Sequence, residues 1–153
     1  MMKALKRTLI LAIVAMAAMV AFLATGGVAA ADGAYHSERL SFSGGSDPAF
    51  HGQVVNIHAN GPVNGALERY QVVGAAPSTD YEVWIQFCGD GGFADFTQTA
   101  VLATDARGTG HASAAFSAAD LAPFSGATVV IRWVLRVDAT DVYATPCTTV
   151  TID

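Results

Sequence analysis

The fold class is indicated most clearly by residues 127–137, which read ATVVIRWVLRV. Large apolar side chains recur there at every second position, the pattern of a β-strand with one face in a hydrophobic core. The face expected to be buried carries Val129, Ile131, Trp133, Leu135 and Val137. The opposite face carries Thr128, Arg132 and Arg136 together with Val130 and Val134. The stretch therefore predicts a strand with an apolar inner face and a mixed outer face.

A second strand is predicted at residues 81–88, where the same alternation appears. Its inward positions are Tyr81, Val83, Ile85 and Phe87, and its outward positions are Glu82, Trp84, Gln86 and Cys88. Weaker strand patterns occupy 37–43, 52–59, 66–74, 96–103, 109–116 and 142–152. Turn-forming residues separate these runs about every eight to twelve positions, as in all-β sandwiches. The sequence therefore predicts an all-β fold, an antiparallel β-sandwich of about eight strands.

Two local signals predict how strands are connected. Asp105-Ala106-Arg107-Gly108 has Asp at the first and Gly at the fourth turn position, which favours a type I turn and a tight antiparallel hairpin. Ser117-Ala118-Ala119-Asp120 resembles a capping box, and Pro123 follows it closely. We therefore expect one short helical segment between two strands.

Residues 72–84, VVGAAPSTDYEVW, resemble the corner of fibronectin type III and related immunoglobulin-like sandwiches. An apolar strand end, a Pro, a Thr and then a Tyr there introduce a long core strand. The resemblance implies an immunoglobulin-like sandwich in which the Tyr81 hydroxyl bonds back to the backbone of the turn. It is a structural resemblance and implies no activity.

The first 31 residues have the three regions of a secretory signal peptide. In order, these are the basic residues Lys3, Lys6 and Arg7, an apolar run from Leu9 to Leu23, and small residues ending at Ala31. We expect cleavage near Asp32, leaving residues 32–153 as one domain that is secreted or held in the cell envelope, without membrane association. The alternative is an uncleaved anchor, because the uncharged stretch 8–31 is long enough to cross a bilayer.

The charge of the predicted mature chain argues against nucleic acid and membrane surfaces as partners. Residues 32–153 contain five Arg, no Lys and all thirteen acidic residues, a net charge of −8. Such a surface repels phosphate backbones and anionic lipid headgroups. The expected partner is therefore an extracellular protein or a carbohydrate.

Cys88 and Cys147 are the two cysteines of the chain. An even pair in an exported protein usually forms a disulfide. The alternative, a redox-active or metal-binding thiol pair, would favour C-x-x-C spacing or nearby His, and the sequence has neither. We therefore predict a Cys88–Cys147 disulfide.

No strong catalytic motif is present, since G-x-S-x-G, H-E-x-x-H and phosphate-binding Gly loops are all missing from the sequence. The expected function is that of a non-catalytic binding, structural or cell-surface module. Trp84 is the candidate ligand-binding residue, because an outward Trp beside Glu82 and Gln86 suits stacking on a sugar ring. This predicts a carbohydrate-binding module as an alternative function. The competing interpretation packs Trp84 on the covered second face of a central strand.

Histidines are the candidate ligands for a second alternative, a metal-dependent enzyme that resembles copper–zinc superoxide dismutase. The candidates are His36, His51, His58 and His111. They include no His-x-His pair, and the seven-residue separation of His51 and His58 predicts opposite faces of one strand. Asn56, His58 and Asn60 share a face that we expect to be a hydrated surface.

Calcium is the one candidate cofactor, because acidic residues flank two loops. Asp90 and Asp95 flank the loop after Cys88, and Asp138 and Asp141 flank a turn before Cys147. A disulfide would bring these loops together, and calcium takes oxygen ligands from such loops. However, no calcium-loop motif is present, and Asp in turns usually makes local hydrogen bonds. The sequence therefore predicts no metal site.

Overall fold

A computed structural model describes residues 35–59 and 65–152. The described residues belong to one compact unit, Gly33–Asp153. The predicted signal peptide, residues 1–31, lies outside the described residues, and so does Asn60. Within the described ranges, no helix is long and apolar enough to span a membrane.

The described chain is an all-β protein, as predicted, with antiparallel pairing between all neighbouring strands. The strands are β1 (Tyr35–Gly44), β2 (His51–Ala59), β3 (Ala66–Val73), β4 (Asp80–Gly89), β5 (Gly92–Ala103), β6 (Gly110–Phe116), β7 (Thr128–Val137), β8 (Thr140–Ala144) and β9 (Thr148–Thr151). A short helix, α1 (Ala118–Leu121), and a 3-10 turn (Ala122–Phe124) connect β6 to β7.

The sheet bends round until it is nearly closed. Its strand order is β5-β4-β7-β8-β1-β2-β3-β6, and β9 pairs separately with β7. The two end strands, β5 and β6, are consecutive in the chain, and an isolated bridge joins Thr104 to Gly110. One face of every strand is therefore turned toward a common interior.

The prediction of one strand over residues 142–152 was wrong. The structure divides this range into β8 and β9, which pair with different halves of β7. Pro146 lies between them and has no backbone N–H to donate to a ladder. Thr145 instead holds the segment between β8 and β9 against β7. Its backbone N–H donates to the Trp133 carbonyl at 2.9 Å, and its hydroxyl accepts from the Trp133 backbone N–H at 3.0 Å.

The hydrophobic core follows the alternation of the two strongest strands. The largest fully buried side chains are Trp133, Tyr70, Tyr81, Leu102, Leu135, Val54, Val72, Val83 and Val134. The inward faces predicted for β4 and β7 are confirmed, with Val129, Val137 and Phe87 partly buried against the core. Val134, on the other face, is also buried, so β7 is covered on both sides at its centre.

The predicted connections are confirmed. The Gly108 N–H donates to the Asp105 carbonyl at 3.0 Å, which closes the β5–β6 turn. A side chain at Gly108 is excluded, because a Cβ there would lie 2.0 Å from the Ala75 carbonyl oxygen and φ is +74°. Ser117 and Asp120 form the predicted capping box at the start of α1. At the corner, the Ala76 N–H donates to the Tyr81 hydroxyl at 3.1 Å.

The predicted disulfide is also confirmed. Cys88 and Cys147 are bonded, with their Cα atoms 6.4 Å apart. The bond joins the end of β4 to the segment just before β9. It therefore ties the break between β8 and β9 to the central part of the sheet.

Candidate ligand-binding cavity

The interior of the sheet contains a cavity of about 390 Å³. Aromatic and aliphatic side chains form most of its wall. They include Phe87, Phe96, Phe116 and Phe124, together with Ile85, Val129, Ile131, Val150 and Ile152. The core predicted from the sequence is therefore not packed throughout, and the gap lies beside α1 and the 3-10 turn.

A row of aromatic rings leads from the cavity to the surface. The ring centroids of Phe87 and Phe96 are 4.9 Å apart, and those of Phe96 and Phe124 are 5.3 Å apart in an edge-to-face arrangement. Phe96 is 42 % exposed, whereas Phe87 is partly buried against the core. The row marks an apolar mouth formed by β5 and the 3-10 turn.

One wall of the cavity is polar. Asn56 on β2 and Glu68 on β3 are paired in register, and their exposed fractions are only 4 % and 3 %. His58 lies two residues beyond Asn56 on the same strand and also lines the cavity. The predicted hydrated surface at Asn56 and His58 was wrong, because the sheet curls so that this face of β2 is turned inward.

Glu68 is a buried carboxyl whose ionisation is perturbed by its surroundings. The Tyr70 hydroxyl donates a hydrogen bond to its carboxylate and lies 2.7 Å from the Thr99 hydroxyl. Burial raises the pKa of Glu68 to about 7, against the smaller lowering effects of Tyr70 and Trp133. The Trp133 indole N–H is near enough to affect this pKa, yet it is buried without a hydrogen-bond partner of normal geometry in the described chain. Burial also raises the pKa of Tyr70, which keeps its hydroxyl protonated as a donor.

The Glu68→Gln variant should make the protein more stable above neutral pH. Because the pKa of Glu68 is raised to about 7 in the folded state, the folded protein keeps a proton that the unfolded chain has already lost. Stability therefore falls as the pH rises from about 4.5 to 7 and stays reduced above that range. The rise in the Glu68 pKa corresponds to a loss of roughly 3 kcal/mol at most in the free energy of unfolding.

Urea denaturation at about pH 5 and about pH 8 checks this linkage. The stability difference between Glu68→Gln and the parent should be small at the lower pH and increase at the higher pH. Glu82→Gln is the matched control, since Glu82 is a partly exposed residue on the outer face of β4 and does not line the cavity. Equal pH dependence in the parent and Glu68→Gln would contradict the burial of an ionisable carboxyl at this position.

Trp84 lies on the outer face of β4, outside the cavity. Its indole N–H donates to the Glu82 carboxylate at 2.9 Å, and the Arg136 guanidinium lies over the ring at 5.0 Å from its centroid. The side chain is only partly exposed. The guanidinium takes up part of the surface that a sugar ring would need for stacking.

The acidic loops are brought together, but they surround an arginine. Arg136 donates to both carboxylate oxygens of Asp95 at 2.9 Å and to Asp141 at 2.8 Å. Gln86 donates to the same two carboxylates at 2.8 and 3.0 Å. The hydrogen bonds from Arg136 are the main cause that lowers the pKa of Asp95 to about 2. The carboxylates of Asp95 and Asp141 thus already accept hydrogen bonds from side chains.

The candidate metal ligands do not form one cluster. Residues 35–59 and 65–152 contain no group of three or more His, Cys, Asp or Glu that could hold a metal ion. His51 is exposed at the start of β2, His58 lines the cavity, and His111 is exposed on β6. The side chain of His36 lies outside the described residues.

Sequence reasoning missed Glu68, although a signal for it was present. Tyr70 and Val72 are the large residues of the inward face of β3, and Glu68 is two positions before Tyr70 on the same face. A period of two therefore placed Glu68 inward once that face was known.

Protein-family models, curated proteins and solved structures were compared with the chain, and none of the three comparisons gives a match.

Proposed function

We propose that this protein is a non-catalytic binding module that acts outside the cytosol and holds a small, largely apolar ligand inside its sheet. The observation that carries the proposal is the cavity of about 390 Å³ with two buried polar side chains, Asn56 and Glu68, on one wall. Ligand pockets in proteins are typically roughly 300–1,000 Å³ and mostly apolar, with a few polar groups that fix orientation.

The apolar lining of the cavity supports a role in binding. Apolar side chains at an open cavity remain in contact with water, and covering them with a ligand is favourable in proportion to the apolar area removed from water. The buried Glu68 carboxyl carries a desolvation cost. A ligand that covers the apolar wall and pairs with this carboxyl would offset that cost. The apolar wall suits retention of a ligand better than its chemical conversion.

Export and an immunoglobulin-like arrangement are part of the same proposal. The Cys88–Cys147 bond supports export, because disulfides persist in oxidising compartments. The order of charged, apolar and small residues in 1–31 supports it independently. The hydrogen bond from Ala76 to the Tyr81 hydroxyl supports the immunoglobulin-like corner.

Carbohydrate binding through Trp84 remains an alternative prediction. Its support is an outward indole beside polar side chains, and against it stand the Glu82 hydrogen bond and the Arg136 contact. Binding to a glycan array that is lost in Trp84→Ala would favour this alternative over the cavity.

The proposed function is tested with the uncharged fluorescent probe N-phenyl-1-naphthylamine. The parent protein should raise its fluorescence with a dissociation constant in roughly the micromolar range. Val129→Trp, which places an indole in the cavity, should weaken binding by about tenfold or more. Val130→Trp is the matched control, because the neighbouring side chain is 42 % exposed on the opposite face of β7 and does not line the cavity.

A second cavity-filling variant keeps the test decisive if Val129→Trp does not fold. Thr97→Phe fills the same space from β5, and circular dichroism reports whether each variant is folded. Loss of binding in either folded variant, with binding retained in Val130→Trp, supports the proposal. Absence of binding to the parent, or binding to both folded cavity variants as tight as to the parent, would overturn it.

A further inference from the structure

We propose that the ligand of this cavity is a small organic cation, with an apolar, preferably aromatic body and an ammonium group that pairs with Glu68. This ligand class rests on the proposed function of the cavity. It extends that proposal by specifying the charge of the ligand and the residue that recognises this charge.

Glu68 has a hydrogen-bond donor beside it but no arginine. The Tyr70 hydroxyl donates a hydrogen bond to the carboxylate, while the ion pairs of the described residues join Arg132 and Arg136 to Asp95 and Asp141 on the outer face. A buried carboxylate without a cation is costly, whereas one that meets a cation gains a charge-assisted hydrogen bond. The cavity therefore presents a buried carboxyl group that a cationic ligand would stabilise.

The surroundings of Glu68 suit the rest of such a ligand. Asn56 is directly opposite Glu68 in the strand register, and both line the cavity. Its amide oxygen can accept a second hydrogen bond from the same ammonium. The phenylalanine rings of the remaining wall can contact an aromatic body. An anionic ligand would instead bring a second negative charge next to a carboxyl that is already desolvated.

The charge of the whole domain favours the same ligand. Residues 32–153 carry five Arg against thirteen acidic residues. A strongly acidic protein raises the local concentration of cations and repels anions. Asp120 also lines the cavity beside α1, and hydrogen bonds from Ser117 lower its pKa, so this carboxylate remains negative at neutral pH.

Three compounds with the same carbon skeleton separate charge from shape. They are 3-phenylpropylamine, 3-phenylpropan-1-ol and 3-phenylpropanoate, each competing with N-phenyl-1-naphthylamine for the intact protein. At about pH 8 the amine should bind about tenfold to a hundredfold more tightly than the alcohol, the range of a charge-assisted hydrogen bond. The carboxylate should bind most weakly.

Variants and pH then assign the preference to Glu68. Glu68→Gln should reduce the advantage of the amine over the alcohol to less than about threefold, whereas Glu82→Gln should leave it unchanged. At about pH 5.5 the advantage should fall by about tenfold in the parent, because protonation removes the charge of Glu68. The groups that face the ligand and can titrate are His58, Glu68 and Asp120, so any pH dependence that persists in Glu68→Gln belongs to the other two.

The outcomes separate this inference from the proposed function. The probe could bind tightly while the three compounds bind equally well or the carboxylate binds best. That result overturns the inference that the ligand is a cation, but it leaves the cavity as a ligand site. An amine preference that survives in Glu68→Gln also overturns the inference. Absence of binding of the probe and of all three compounds overturns both the inference and the proposed function.

Discussion

Trp133→Ala is expected to lower the free energy of unfolding by about 3–5 kcal/mol. Trp133 is fully buried at the centre of β7, and it is the largest of the fully buried side chains. Its removal loses the transfer free energy of the indole and leaves a void in the core. Guanidinium denaturation of the parent and the variant measures the loss.

Val130→Ala is the matched control on the same strand. Val130 is 42 % exposed on the outer face, so its truncation should cost less than about 1 kcal/mol. Similar losses for the two variants would contradict the assignment of inner and outer faces to β7. That assignment is the basis for the position of the cavity.

Removal of the disulfide is expected to cost roughly 4 kcal/mol. Cys88 and Cys147 are separated by 59 positions, and closing a loop of this length limits the conformations of the unfolded chain by about that amount. The double variant Cys88→Ser, Cys147→Ser avoids a free thiol, and thermal denaturation compares it with the parent. Alkylation of the native protein without reductant should modify neither cysteine. Two reactive thiols, or an unchanged melting temperature, would contradict the prediction.

The sequence was most informative where one strand face is continuously apolar. Ile131, Trp133 and Leu135 alternate with polar or smaller residues, and the period of two places them together on a buried face. The Asp105–Gly108 turn was predictable because its hydrogen bond joins residues that are close in sequence. The hydrogen bond to the Tyr81 hydroxyl was instead expected from the resemblance of residues 72–84 to a known corner.

The cavity could not be predicted because it depends on contacts between distant strands. Alternation shows that Asn56 and His58 share a face, but it does not show which face a curling sheet turns inward. Polar residues at these positions indicated solvent, whereas pairing of β2 with β3 places Asn56 opposite Glu68 in the interior. The pairing of Asp95 and Asp141 with Arg136 likewise depends on β4, β5 and β7 meeting.

A crystal structure of the protein with 3-phenylpropylamine tests the central claim most directly. The account predicts the phenyl ring inside the cavity among the phenylalanine side chains. It also predicts the ammonium nitrogen within about 3 Å of a Glu68 carboxylate oxygen. An empty cavity, with the amine bound at the outer face near Trp84 or not bound at all, would contradict it.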